Sequence, residues 1–433
     1  MILVTYGAWE WTARCLAALT ETIGDVRYEL ICVDNASPDG SAERMAAMPE
    51  VHLIRNARNV GYGAAVNQAV MRAKAAYILL LNTDAIVQPG WLEPLRQVLI
   101  AEDDVAAVSA RLLHLDGTLQ EAGSLIWGDG MTDCYGDGGD PNSPEYCFRR
   151  DVDYASAACL LVRRSAFVNA GGFDPVYQPA YHEDTDLAMR WRSQGLRVVY
   201  QPLSTVVHKR WASSEDRVAT ETLVTRHRPI FLERWRSLVG ERPSRPRPFD
   251  PRCLVALRDS ECDWRVLGVV DSLASNNGRE VASIVAKAGR ASGRCRQTIL
   301  ALGDDLEGAG AAELRASGVE VVPVAGTGAG MRWLDGRRYH YTSVVATADV
   351  PRSLSDHLVA TQPGAVRLFA GGDMAEPGRA PWLQETDVII CLQVPSTERL
   401  SRRPAGVRLI GRDEDGADEE ILKILSGDDA GPG

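Results

Sequence analysis

The chain has 433 residues, 45% apolar and 24% charged, with a net charge of −11. This is a globular composition at a length beyond one ordinary domain, so two or three domains are expected. The negative balance argues against nucleic acid as the main partner, since phosphate-binding surfaces carry a basic bias.

No window approaches the ~18 consecutive apolar residues of a membrane span. The opening MILVTYGAWEW lacks the basic and long apolar regions of a signal peptide. A cytoplasmic protein is expected, with peripheral contact at the inner face of a membrane left open. The cysteines are odd in number, scattered and without a CxxC pair, and read as free thiols.

Met1 to Thr5 reads as a strand, and Trp9 to Leu19 places Trp11, Cys15, Ala18 and Leu19 at helical spacing. Tyr28 to Val33 is a second strand, ending in the turn-forming DNASPDGS. Asp34 at that strand end is placed to accept hydrogen bonds from a nucleobase or ribose, or to close an Asx-turn. A third strand, Val51 to Ile54, precedes a turn holding Asn59, Gly61, Tyr62, Gly63 and Asn67, whose small residues suit close approach of backbone to ligand or a tight entry into the helix Ala64 to Ala76.

Tyr77 to Leu81 is too short an apolar run for a helix and reads as a strand buried on both faces. It breaks at Asn82, Thr83 and Asp84. A carboxylate emerging at the carboxyl end of such a strand can hold a divalent cation against a diphosphate, which makes Asp84 the candidate metal ligand. Strands alternating with helices predict a doubly wound α/β sheet.

Asp103 to His114 reads as a further strand. The polar, glycine-rich stretch from Asp116 to Tyr146 is expected to be a functional lid or mobile insertion, with Trp127, Tyr135 and Tyr146 stacking on a sugar or packing on their own loop. Val152 to Val162 is a buried strand or short helix. Arg197 to Tyr200 and Ser204 to His208 are strands, and Ala219 to Leu238 is helical.

The ordered motifs VTY (Val4 to Tyr6), VDNASPDGS, NVGYGAAVN, LLLNTDAIVQPGWL and HEDTDLAMRWRSQG (His182 to Gly195) resemble inverting family 2 glycosyltransferases, nearest to the rhamnosyltransferase-like branch. The resemblance covers roughly Met1 to Trp235. It implies a GT-A fold, a Rossmann-like nucleotide-binding half joined to an acceptor-binding half.

By this resemblance Asp184 is the base, and Glu183 orients the acceptor or the helix start. Thr5, Tyr6, Asp34, Asn35, Asn59, Gly61, Asn67 and Asp84 face the donor. Asp84 and His208 hold Mg²⁺ or Mn²⁺. Asp186 is read as a helix cap, and Lys209 and Arg210 as charges near the leaving diphosphate or as solvated residues. The donor is a dTDP- or UDP-sugar, rhamnose among the options, and the acceptor a glycan, a lipid-linked glycan or a small molecule. The oligomeric state is left open. A sugar nucleotidyltransferase and a non-catalytic sugar-nucleotide or carbohydrate-binding scaffold are the rival readings. The segment Gly7 to Cys15 lacks the glycine-rich basic loop of the former.

RPSRPRPFDP (Arg242 to Pro251) reads as an extended linker, giving a catalytic domain over 1–240, a linker over 241–262, a smaller Rossmann-like domain over 263–425 and a flexible tail over 426–433. The second domain alternates strands and helices from Val266 to Cys391. It faintly resembles the N-terminal half of GT-B glycosyltransferases and is expected to serve acceptor binding or assembly.

Overall fold

The structure, a computed structural model, describes residues 1–210, 217–291, 295–303, 308–338, 340–347, 350–362, 366–370, 388–391, 408–411 and 421. The chain divides into two compact units, Met1–Arg258 and Asp259–Gly433. The expected tail over 426–433 lies outside the described residues.

The first unit begins β1 (Ile2–Thr5), α1 (Trp9–Thr22), β2 (Leu30–Asp34), α2 (Ser41–Ala46), β3 (Val51–Arg55), α3 (Tyr62–Val70), β4 (Tyr77–Asn82), β5 (Ala85–Val87) and α4 (Leu92–Ala101). It continues β6 (Val105–Leu113), β7 (Leu119–Glu121), β8 (Ser124–Ile126), β9 (Thr132–Cys134), β10 (Arg150–Val152), β11 (Cys159–Arg163), α5 (Arg164–Asn169), α6 (Glu183–Ser193), β12 (Arg197–His208), α7 (Arg217–Val239) and α8 (Cys253–Arg258).

The main sheet runs β10-β12-β6-β11-β4-β1-β2-β3. Strand β4 lies at its centre, parallel to β1 and antiparallel to β11. Alternation divides its side chains between two cores. Ile78 and Leu80 pack with Val66 and Ala69 of α3, whereas Leu79 and Leu81 pack with Leu16 of α1 and Leu95 of α4. A run apolar at every position is what burial on both faces demands.

The chain lays down β1, β2 and β3 in one direction, then returns to place β4 on the other flank of β1. The crevice beyond the carboxyl ends at such a reversal is where ligands of open α/β sheets bind. In register there stand Thr5 beside Asp34, and Val4 beside Asn82.

Two segments read from sequence as separate strands form one, β12. Its pairing with β6 shifts between Gln201 and Thr205, and the last residues then pair with β5, His208 opposite Ala85. That irregularity carries His208 to the end of β4.

The stretch from Asp116 to Tyr146 is not a lid. It folds into β7, β8 and β9 over a small core in which Trp127 and Tyr135 are each 2% exposed. Their rings are taken up internally: Trp127 Nε1 donates to Asp133 Oδ2 at 2.8 Å, and Tyr135 meets Tyr146 edge-on at 5.1 Å.

The proline-rich stretch after Val239 is not a free linker either. Arg242 donates to both Asp153 oxygens at 2.6 and 2.8 Å, and Arg245 Nε to Asp133 Oδ2 at 2.6 Å. Leu254 and Leu257 of α8 join the core over β8. Arginine pairing and apolar burial hold this segment on the first unit, so the division falls after Arg258.

The second unit contains β13 (Trp264–Val270), α9 (Asn276–Ala291), β14 (Cys295–Ala301), α10 (Ala309–Ala316), β15 (Glu320–Pro323), α11 (Gly326–Asp335), β16 (Ser343–Thr347), α12 (Arg352–Thr361), β17 (Val366–Ala370), β18 (Val388–Cys391) and β19 (Arg408–Gly411). Its sheet, β15-β14-β13-β16-β17-β18-β19, is parallel throughout, as the alternating pattern predicts. Among the described residues no helix is long and apolar enough to cross a membrane.

Candidate active site

At the end of β4, Asp84 and His208 meet. His208 Nε2 lies 3.1 Å from Asp84 Oδ1 and 3.4 Å from Asn82 Nδ2, and both Asp84 and His208 are buried. The Lys209 amide donates to the Asp84 carbonyl at 3.1 Å, tying the end of β12 to the turn. A carboxylate oxygen and an imidazole nitrogen facing each other form a donor pair that Mg²⁺ or Mn²⁺ accepts. Among the described residues no cluster of three His, Cys, Asp or Glu side chains gathers. A cation here therefore takes its other ligands from substrate phosphate and water, the habit of Mg²⁺ in phosphate-binding sites.

The donor-facing residues read from sequence divide into two groups. Asp34 is buried at the end of β2, and both its oxygens stand 3.3 Å from the Ser37 amide, an Asx-turn. Tyr6 is exposed beside it. Asn59 Oδ1 accepts from the Gly61 amide at 2.9 Å and shapes the turn into α3. Gly61 has φ +86°, and a Cβ there would stand 2.8 Å from the Pro179 carbonyl oxygen, so only glycine fits. Tyr62 N–H donates to that same oxygen at 2.9 Å.

Three others are engaged within the fold. The Thr5 hydroxyl lies 3.2 Å from the Gly7 carbonyl and 3.3 Å from Thr12 Oγ1. The Asn35 amide donates to the Gly61 carbonyl at 3.3 Å and accepts from Asn56 at 2.8 Å. Asn67, expected to face the donor, instead spends its amide on the main chain of Phe173, donating at 2.8 Å and accepting at 2.9 Å. It staples α3 to the Gly171–Gly172 turn before the acidic loop.

Glu183 and Asp184 open α6, preceded by Tyr181 at φ +75° and His182 at φ +71°. Two successive non-glycine residues in the left-handed region are strained and persist only where surroundings over-determine them. Helix α7 supplies that constraint. Thr220 Oγ1 is 2.9 Å from the Tyr181 hydroxyl, His227 Nδ1 is 3.0 Å from the Tyr181 carbonyl, and Phe231 packs on His182 at 5.6 Å.

Burial pushes the Asp184 carboxyl above its usual pKa, against hydrogen bonds to Oδ1 from the Thr185 amide at 2.7 Å and hydroxyl at 3.3 Å. Glu183 is raised further, by burial first and then by the charge of Asp184, and its Oε2 has no partner among the described residues. Burial, then the charges of Glu183, Asp184 and Asp84, raise the Tyr62 hydroxyl, so the acidic loop and the Asp84 turn border one ring.

Asp186 does not cap α6. It is fully buried and accepts from Arg190 Nε at 2.8 Å, Arg234 Nη1 at 2.8 Å, Trp235 Nε1 at 2.9 Å and the Tyr177 hydroxyl at 3.2 Å. It is the hub joining α6 to α7. Lys209 lies over the Trp11 ring at 5.2 Å, and Arg210 stands 3.7 Å from Asp137.

Sequence reasoning missed Gln120 and Glu121, whose only signal was a polar pair in a glycine-rich stretch. Gln120 Oε1 lies 2.7 Å from His208 Nδ1. Glu121 is buried, accepts from the Ser156 amide at 3.0 Å, and has its pKa raised by burial first and then by the charge of Asp184.

An α/β sheet with a carboxylate at its central strand end and an acidic helix start across the crevice is the architecture of GT-A glycosyltransferases. Residues 1–167 match Glycosyl transferase family 2. The chain is 29% identical over 256 residues to the N-acetylglucosaminyl-diphospho-decaprenol L-rhamnosyltransferase of Mycobacterium tuberculosis, covering 54% of this chain and 82% of that one. It is 33% identical over 164 residues to the O-antigen biosynthesis protein RfbC of Myxococcus xanthus, covering 35% and 12%. Among solved structures it is similar to the mannosyltransferase PcManGT from Pyrobaculum calidifontis in complex with GDP-Man and Mn²⁺, at 18% identity and a TM-score of 0.39, covering 67% and 74%. The protein is a glycosyltransferase, and its N-terminal unit is of family 2.

Proposed function

We propose that the protein is an inverting, metal-assisted glycosyltransferase that moves a sugar, rhamnose first among the options, from a dTDP- or UDP-donor to a hydroxyl of a lipid-linked or other glycan, or of a small molecule. The observation that carries this reading is the placing of Asp84 with His208 on one side of Tyr62 and of Asp184 on the other. The rhamnose preference and the lipid-linked acceptor rest on the name of the mycobacterial relative.

The nucleotide lies over the carboxyl ends of β1 and β2, against Tyr6, Asp34 and the Gly61 turn. Asp84 and His208 hold Mg²⁺ or Mn²⁺, which when bound offsets the negative charge of the departing diphosphate. Asp184 takes the acceptor hydroxyl's proton as that oxygen attacks the anomeric carbon from the face opposite the diphosphate. A base must be ionised and still basic enough to accept, which an aspartate raised above its ordinary range satisfies. Glu183 orients the start of α6.

The acceptor approaches along α7, where an open cavity of about 820 Å³ is lined by Met131, Thr220, Val224, Arg228, Leu232 and Arg236. Thr220, in that lining, also holds Tyr181 of the acidic loop. The second unit is an accessory domain for acceptor binding or assembly.

Calorimetric titration with UDP, dTDP and GDP, each with and without Mn²⁺, tests this on wild type and Asp84→Ala. Metal-dependent binding of one nucleotide, lost in the variant, is expected. A folded protein that binds none is a scaffold instead.

A further inference from the structure

We infer that Gln120 is a positioning residue that selects which nitrogen of His208 faces Asp84, an inference that rests on the metal-assisted reading above. Gln120 sits on β7 and is 3% exposed. Its Nε2 donates to the His208 carbonyl at 3.0 Å and stands 3.1 Å from His114 Nδ1, while its Oε1 lies 2.7 Å from His208 Nδ1. An amide nitrogen offers only protons and an amide oxygen only lone pairs. Turned the other way, the amide would set its oxygen against the His208 carbonyl oxygen, two acceptors face to face. The main chain of β12 therefore dictates the amide's orientation.

The consequence passes to the imidazole. Facing Oε1, Nδ1 of His208 carries a proton, and the neutral ring then presents the lone pair of Nε2 to Asp84 Oδ1 at 3.1 Å. His114 completes the chain: its Nδ1 accepts from Gln120, and its Nε2–H donates to Asp137 Oδ1 at 2.7 Å. From Asp137 to His208 Nδ1 every donor meets an acceptor. At the far end, Nε2 and the Asp84 carboxylate are two acceptors, and a cation or a proton between them reconciles the pair. Gln120 thus presents Nε2, rather than an N–H, to a metal ion, the task of an outer partner that fixes a ligating histidine's tautomer.

The test uses the full chain with Mn²⁺ in the presence of UDP and, separately, dTDP, and compares wild type with Gln120→Met and Gln120→Glu. Two quantities are read: Mn²⁺ affinity, and nitrogen coupling to the bound ion by pulsed electron paramagnetic resonance. Methionine keeps the volume and removes the acceptor; Mn²⁺ is expected to bind ~10–100-fold more weakly, with the nitrogen coupling lost. Glutamate keeps an acceptor for Nδ1–H and is expected to restore both, and metal-free nucleotide affinity stays unchanged in all three.

A folded Gln120→Met that binds Mn²⁺ through nitrogen like wild type overturns the inference. So does a Gln120→Glu as weak as Gln120→Met. Should Gln120→Met not fold, Gln120→Glu decides alone, weakened binding overturning the inference and binding at least equal to wild type supporting it. Wild type without nitrogen-coupled Mn²⁺ overturns the metal reading itself and this inference with it, a result distinct from the others.

Discussion

Asp84 Oδ1 and His208 Nε2 stand 3.1 Å apart although 124 residues separate them, because the pairing shift in β12 lays its last residues along β5. If this pair holds the cation, either side chain is needed. His208→Ala is expected to weaken Mn²⁺-supported nucleotide binding at least ~10-fold while leaving metal-free binding in place. Calorimetry with and without Mn²⁺ checks this, and an unchanged metal dependence would remove His208 from the site.

Asp184 acts on the acceptor, not the donor. Asp184→Asn is expected to lower transfer by ~10²–10⁴-fold, the usual contribution of a positioned base. Metal-dependent donor binding should persist, read by product formation and calorimetry on the same preparation. Loss of donor binding with transfer per bound donor intact would reverse the roles assigned to Asp84 and Asp184.

Glu183 makes the fold pH-sensitive. Its folded pKa lies well above the usual 4.5, through burial and then the charge of Asp184. Between that usual value and the folded one, the folded state keeps a proton that the unfolded state has released, so stability falls as pH rises through this window. Glu183→Gln removes the effect. Its melting temperature should exceed wild type at about pH 7 and match it near pH 4; a variant no more stable at the higher pH would refute the buried-carboxyl account.

Asn67 belongs to the scaffold. Asn67→Ala leaves the Phe173 main-chain groups without their partner and is expected to cost about 1–3 kcal/mol in denaturant unfolding. Nucleotide affinity at low temperature should hold. A selective loss of nucleotide binding with unchanged stability would return Asn67 to the donor site.

The cavity along α7 offers a means to separate acceptor from donor. Leu232→Trp places a bulky ring in its wall and is expected to raise the acceptor KM several-fold with little change in donor KM. Equal effects on both would place the acceptor path elsewhere.

What was legible from sequence alone followed from local rules. The both-faces-buried run of β4 and the turn formers after β2 and β4 placed the central strands and the carboxylates at their ends. Helical spacing placed α1, and the run of motifs carried the likeness to family 2 glycosyltransferases before any fold was known. These signals work because period and strand-end polarity depend on neighbours a few residues away.

Tertiary structure decided the rest. That Gln120 meets His208, that Asp186 joins two helices instead of capping one, that Asn67 grips Phe173, and that the arginines after Val239 dock on Asp153 and Asp133 all involve partners far apart in the chain. A polar side chain's role depends on which donor or acceptor the fold brings within about 3 Å. Sequence period carries no record of that distance.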